Sequence, residues 1–208
     1  REALFDAMRR RETFATSGPR IRIRFFAGAD LSGLAMDAPD YLQRVYAAGV
    51  PMGGDIYGSP SGKPPVFHAW AVRDPLDAPL QRLQVVKGWR NADGVTQEQV
   101  FDIACSDGLS VDPQTHRCPD NGADVDIETC TIADGVGADE LKATWSDPAF
   151  DAGEAAFYYV RVLQNPTCRW STWDAIRSNV EPRRNVPATI QDRAWSSPVW
   201  YSPAAPEE

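Results

Sequence analysis

Six side chains could bind a metal through sulfur or imidazole, or pair a nucleophile with a base: Cys105, Cys118, Cys130, Cys168, His68 and His116. No two cysteines stand in a Cys-x-x-Cys spacing, so a zinc centre has little support. An even number of cysteines without ligand spacing favours disulfides and an oxidising compartment. Pairing Cys105 with Cys118 would close a loop of about 14 residues, worth roughly 3 kcal/mol in the chain-entropy picture. Cys130 then pairs with Cys168. His68 lies in the apolar run VFHAWAV, where a hydrogen-bonded structural histidine is the expectation. No Gly-x-Ser-x-Gly elbow is present for nucleophilic hydrolysis. Asp120, Asn121, Asp124 and Asp126 cluster in sequence but lack the spacing, glycine and glutamate of an EF-hand loop. Gly53-Gly54 lacks the lysine and hydroxyl residue of a phosphate loop. A glycosidase-type carboxylate pair is defined by separation in space, so the 29 acids do not reveal one. No catalytic residue, and no metal or cofactor in this chain, is assigned.

The elements that would position these groups are mostly strands. The longest strand-forming run is EAAFYYVRVLQNPTCRW, residues 154–170, with Tyr158, Val160 and Val162 on one face and Phe157, Tyr159 and Arg161 on the other. It reads as a central strand, apolar on both faces and covered on both, in a two-layer packing. Residues 20–26 alternate, with Ile21, Ile23 and Phe25 inward and arginines outward. Strands are expected at 66–72, and at 82–89 and 98–104 as a hairpin. Others are expected around 125–132, at 139–145 with Leu141, Ala143 and Trp145 on one face, and at 194–201 as a single edge strand holding Pro198. Three helices are expected. Residues 1–14 would place Leu4, Phe5 and Met8 on one side. Residues 40–48 would bury Leu42, Val45 and Tyr46, and a short helix through Ser178 would be capped by Ser171 or Thr172. Residues 28–65 form a long excursion, suited to covering a sheet edge. The fold class is therefore mainly β, an antiparallel β-sandwich-like domain with an N-terminal helix and a few short helices in long loops. The seven tryptophans would allow a sugar-stacking platform, although most lie in strand segments where core and rim positions are expected.

Charge narrows the partners. Residues 1–24 carry seven arginines against three acids, a net +4, whereas residues 91–155 carry two basic groups against fifteen acids, a net −13. With −8 overall, nucleic acid is excluded as an expected partner. No apolar run approaches the roughly 18 residues of a membrane span.

Five phrases carry a family resemblance: RETFATSGPRIRIRFF (residues 11–26), GVPMGGD (49–55), RLQVVKGW (82–89), DPAFDAGEAAFYYVRVLQNPTCRW (147–170) and DRAWSSPVWY (192–201). Together they resemble a bacterial domain-of-unknown-function family whose full-length members look like secreted or periplasmic relatives of the polymerase-and-histidinol-phosphatase (PHP) superfamily. The resemblance implies that this chain is the C-terminal portion of a longer polypeptide. Its upstream PHP-like barrel would supply the divalent metals and the hydrolytic, phosphoesterase-type chemistry. The barrel's histidine ligands have no counterpart here, so the chain is expected to act as a non-catalytic module that stabilises the barrel, shapes its cleft or mediates assembly. The implied division is 1–19 as a helix and turn against the barrel, 20–201 as the β-sandwich-like domain, and 202–208 as a disordered tail. Arg11, Thr16, Ser17 and Arg20 are the expected barrel-proximal residues. The expected partners are that upstream domain and, for assembly, further copies of the chain. The rival expectation is an independent glycan- or protein-binding sandwich. The implied location is periplasmic or secreted.

Overall fold

The computed structural model describes residues 1–58, 62–91 and 93–204. In chain order its elements begin with helix α1 (Glu2–Arg9), strands β1 (Phe14–Thr16) and β2 (Arg22–Gly28), and helix α2 (Tyr41–Ala48). Strands β3 (Val50–Pro51), β4 (Asp55–Tyr57), β5 (Val66–Val72), β6 (Leu80–Arg90), β7 (Thr96–Cys105), β8 (Val125–Asp126) and β9 (Thr131–Ile132) follow. The chain closes with β10 (Glu140–Trp145), β11 (Ala156–Gln164), β12 (Thr167–Cys168), helix α3 (Trp170–Ser178), β13 (Thr189–Ile190), β14 (Arg193–Ser196) and β15 (Val199–Ser202).

Two sheets face each other. In the larger, β11 is central: β6 runs along one side with β7 beyond it, while β14 and β15 share the other side and bring in β1 and β4. The smaller sheet is ordered β10-β5-β2-β3. The pairings are antiparallel except that of β15 with β4. Alternation puts Tyr158, Val160 and Val162 opposite Lys87, Val85 and Leu83, and all three β11 side chains are fully buried. From the smaller sheet come Ile23, Phe25, Phe67, Ala69, Ala71 and Leu141. The layers meet where the Phe67 ring lies 4.7 Å from Tyr158 and 5.5 Å from Phe25. This accounts for the mainly β, antiparallel character read from the sequence.

Several expectations are corrected. The outward face of β11 is not covered as its inward face is: Phe157, Tyr159 and Arg161 are only half-buried, because an antiparallel sheet needs just one face in the core. The strand expected around 125–132 is a small β8-β9 hairpin whose turn includes Cys130 at φ 58°. The edge strand at 194–201 is two strands, β14 and β15, both pairing with β11. Ser197 and Pro198 separate them, the proline having no N–H for a ladder. α2 buries Tyr41 and Val45 but leaves Leu42 and Tyr46 exposed. α3 starts after Arg169 with no side-chain cap; Thr172 sits inside the helix, its hydroxyl donating to the Ala188 carbonyl at 2.7 Å.

Segments expected as connectors do more than connect. Phe14–Thr16 pairs with β14, so part of residues 1–19 is hydrogen-bonded into the larger sheet. Within the 28–65 excursion, β3 extends the smaller sheet and β4 the larger, so this segment covers an edge of each. Cys105 joins Cys118 and Cys130 joins Cys168, with Cα separations of 5.6 and 5.5 Å. The first pins the 106–117 loop to the end of β7; the second ties the β8-β9 hairpin to β12. Two disulfides point to an oxidising, extracytoplasmic environment. No helix among the described residues is long and apolar enough to cross a membrane. The expected tail starts at Ser202, the last residue of β15, and its residues 205–208 lie outside the described residues.

Candidate functional site

The side chains singled out at the start of the chain lie on α1 and the segment below it. Leu4, Phe5 and Met8 follow a helical stripe, and they are 71%, 57% and 62% exposed. α1 has no buried residue at all. An amphipathic helix in a folded protein ordinarily turns such a stripe toward a core.

The base of this helix is nevertheless fixed. Arg11 takes a left-handed conformation, φ 59°, and its Nη2 lies 2.6 Å from Asp55 Oδ2. Gly53, at φ 89°, passes so close beneath that a Cβ would collide with the Arg10 and Arg11 carbonyls. The Tyr46 hydroxyl donates to Glu12 Oε1, and the Ser197 N–H donates to the Thr13 carbonyl at 3.0 Å. Burial raises the Tyr46 pKa, Glu12 adds to that, and Arg24 and Arg10 oppose it. α1 therefore stands on a rigid foot.

Two arginines of β2 lie beside that foot. Arg22 and Arg24 point outward from β2 and line a depression of about 360 Å³ with Glu12, Phe14, Tyr46 and Met52. No ion pair involves Arg22 or Arg24 among the described residues. Along α1 and its two caps, Arg1, Arg9 and Arg10 alternate in sequence with Glu2 and Asp6, and Arg10 pairs with Glu12 at 3.1 Å.

The four expected barrel-proximal residues do not form one cluster. Arg11 is in the foot. Thr16 is in β1, opposite Ala194, and the Ser17 hydroxyl donates to Asp192 Oδ1 at 2.6 Å. The Arg20 backbone N–H donates to Asp74 Oδ2 at 2.8 Å and, with the Leu76 N–H, holds the Asp74 carboxyl below its ordinary pKa. Ser17 and Arg20 border two depressions that share Pro75 and Leu76, and Leu76 is 94% exposed.

Elsewhere the groups capable of chemistry are engaged in the fold. His68 is buried beneath α2 with Nδ1 3.1 Å from the Tyr41 hydroxyl, while its Nε2 has no hydrogen-bond partner among the described residues. Burial lowers the His68 pKa, partly offset by the Leu31 backbone, and burial pushes Tyr41 up to about 12. The Asp residues of the 120–126 stretch accept from nearby backbone N–H groups, as in Asp120 Oδ1 with Gly122 and Asp126 Oδ1 with Glu128. Among the described residues, no three of His, Cys, Asp and Glu are grouped to hold a metal.

The least expected chemistry is a buried ion pair. Lys87 Nζ lies 2.6 Å from Asp147 Oδ2, donates to the Ala149 carbonyl at 2.9 Å, and stands 4.8 Å from the Trp89 ring. The Tyr158 hydroxyl donates to the same Asp147 oxygen at 2.9 Å. Burial, then the Asp147 charge, raises the Tyr158 pKa far above its ordinary value. One signal was present in the sequence: Lys87 shares strand parity with Leu83 and Val85, and so had to point inward. This triad fastens the turn after β10 to the core.

A second exposed surface lies on the outward face of the larger sheet, where Trp200, Phe157 and Gly88 are cross-strand neighbours. No curated protein and no solved structure matches the chain. A family model does match it, across residues 1–203, and by that match the chain belongs to DUF3604, a protein family of unknown function.

Proposed function

We propose that this chain is a non-catalytic, β-rich module of a larger PHP-like, metal-dependent hydrolase of phosphoesterase type, exported to the periplasm or secreted. It docks through α1 against the upstream catalytic domain and stabilises that domain or shapes its cleft. The observation that carries this reading is α1 itself, an amphipathic helix on a fixed foot with its apolar stripe uncovered. Burying Leu4, Phe5 and Met8 against a partner would contribute about 1.5–3 kcal/mol each. Supporting the non-catalytic part, the histidine, cysteine and buried carboxylate groups named above are occupied as packing, disulfides and ion pairs. In the upstream domain, bound divalent metals would activate water and neutralise phosphate charge.

The triple variant Leu4→Ser/Phe5→Ser/Met8→Ser tests this. In this chain alone its midpoint of thermal unfolding should stay within about 2 °C of wild type. In a polypeptide carrying the upstream domain, the same changes should lower the midpoint by about 5 °C or more and reduce metal-dependent phosphoester turnover. Equal, small effects in both proteins would overturn the docking role.

A further inference from the structure

We infer that the outward face of the larger sheet binds a neutral oligosaccharide by stacking sugar rings on Trp200 and Phe157. The inference stands on residues remote in sequence from α1 and does not depend on the docking reading.

Strand register places four residues in one row across four strands: Trp200 on β15, Phe157 on β11, Gly88 on β6 and Glu98 on β7. At ordinary strand spacing the row is about 14 Å long. Gly88 makes room for the Phe157 ring. A Cβ there would collide with the Phe157 ring, so the absent side chain lets that ring lie across β6. The Trp200 ring lies 5.4 Å from Phe157 and is tilted 50° to it, while the Tyr159 ring, two residues along β11, lies 6.4 Å from Phe157 and within 13° of parallel to it. Trp200 is 40% exposed, a large fraction for an indole on a regular strand. Trp200 and Phe157 are carried on paired strands, with little backbone entropy left to lose on binding.

The surroundings select the ligand class. Trp200 and Phe157 line an open depression of about 610 Å³ at the β6-β7 hairpin, within the usual range for small-molecule sites. Its border carries Thr96, Gln97, Glu98 and Ser202, groups that can exchange hydrogen bonds with hydroxyls. Aromatic faces beneath and hydroxyl-bonding groups around suit a ring that is apolar on its C–H faces and polar at its edge. An anionic ligand is disfavoured: Glu98 is at the row's end, and Arg90, the one lining cation among the described residues, is turned to the Gly94 carbonyl at 3.1 Å.

The test is calorimetric titration of the chain with cellohexaose, xylohexaose, maltohexaose and chitohexaose, each in turn. At least one should bind with a Kd of about 1 mM or tighter. Trp200→Ala should weaken that binding about tenfold or more, and Glu98→Gln, which leaves the rings in place, by a smaller factor. Trp173→Ala on α3 should leave it unchanged, and circular dichroism should show each variant folded. The Leu4, Phe5 and Met8 variant should bind like wild type, which separates this inference from the docking role. No binding to any of the four sugars would overturn it, as would binding by Trp200→Ala within twofold of wild type. Protection of Trp200 from acrylamide quenching in a polypeptide carrying the upstream domain would overturn it as well, by giving that face to a protein partner.

Discussion

α1 and α2 are both eight-residue amphipathic helices, yet one is seated and the other is not. α2 lies on the outer face of the smaller sheet, where Tyr41 and Val45 join Phe26 and Leu31 in a closed apolar cluster. α1 rises from a foot tied by the Arg11–Asp55 ion pair and the Ser197–Thr13 hydrogen bond, and it buries none of its residues. Amphipathic patterning thus states that a helix needs a partner surface, and only the fold states whether the chain itself provides one. For α2 it does. For α1 no surface of the described residues does, which is why the docking proposal rests on this helix.

The same substitution made under each helix sharpens the contrast. Phe26→Ala removes the ring that meets Tyr46 at 5.0 Å and Tyr41 at 6.4 Å, and should cost about 3–5 kcal/mol in chemical denaturation of this chain. The next effect is pH-dependent and belongs to α2 alone. His68 has a folded pKa below its ordinary 6.5, so the unfolded chain takes up a proton before the folded chain does. Stability from this site is present above that range and is lost as the pH falls from about 6.5 through the folded pKa. Denaturation across that window should show wild type losing stability relative to His68→Gln, and parallel curves would show that His68 does not titrate as its burial requires. The smallest effect is expected on α1. Phe5→Ala should change the stability of this chain by no more than about 0.5 kcal/mol, and a loss approaching that of Phe26→Ala would mean that α1 already has its partner here.

What the sequence disclosed follows the same division. The strands with clean alternation, such as Ile21-Arg22-Ile23-Arg24-Phe25, were legible because a period of two fixes both the element and its buried face. The cysteine pairs were legible from loop length and the want of ligand spacing. On α2, residues 41 and 45 form one i,i+4 stripe and residues 42 and 46 another, and local pattern does not choose between them. The Tyr41 hydroxyl reaches His68, and that tertiary hydrogen bond settles the rotation of the helix. Lys87 could be placed inward by parity, but its partner Asp147 lies in a turn 60 residues away and follows no pattern. The row from Trp200 to Glu98 is invisible in the sequence because it requires the register of four strands at once. Gly88 shows the difficulty well. In sequence it weakens a strand, and only the fold shows the aromatic ring that fills its place.

The central claim is that the apolar stripe of α1 is covered by an upstream domain. The most direct test is amide hydrogen exchange of α1, compared between this chain and a polypeptide that includes that domain. The account predicts rapid exchange in this chain, as for an eight-residue helix without tertiary packing, and about 100-fold or greater protection in the longer polypeptide. Equal exchange rates in the two would contradict it.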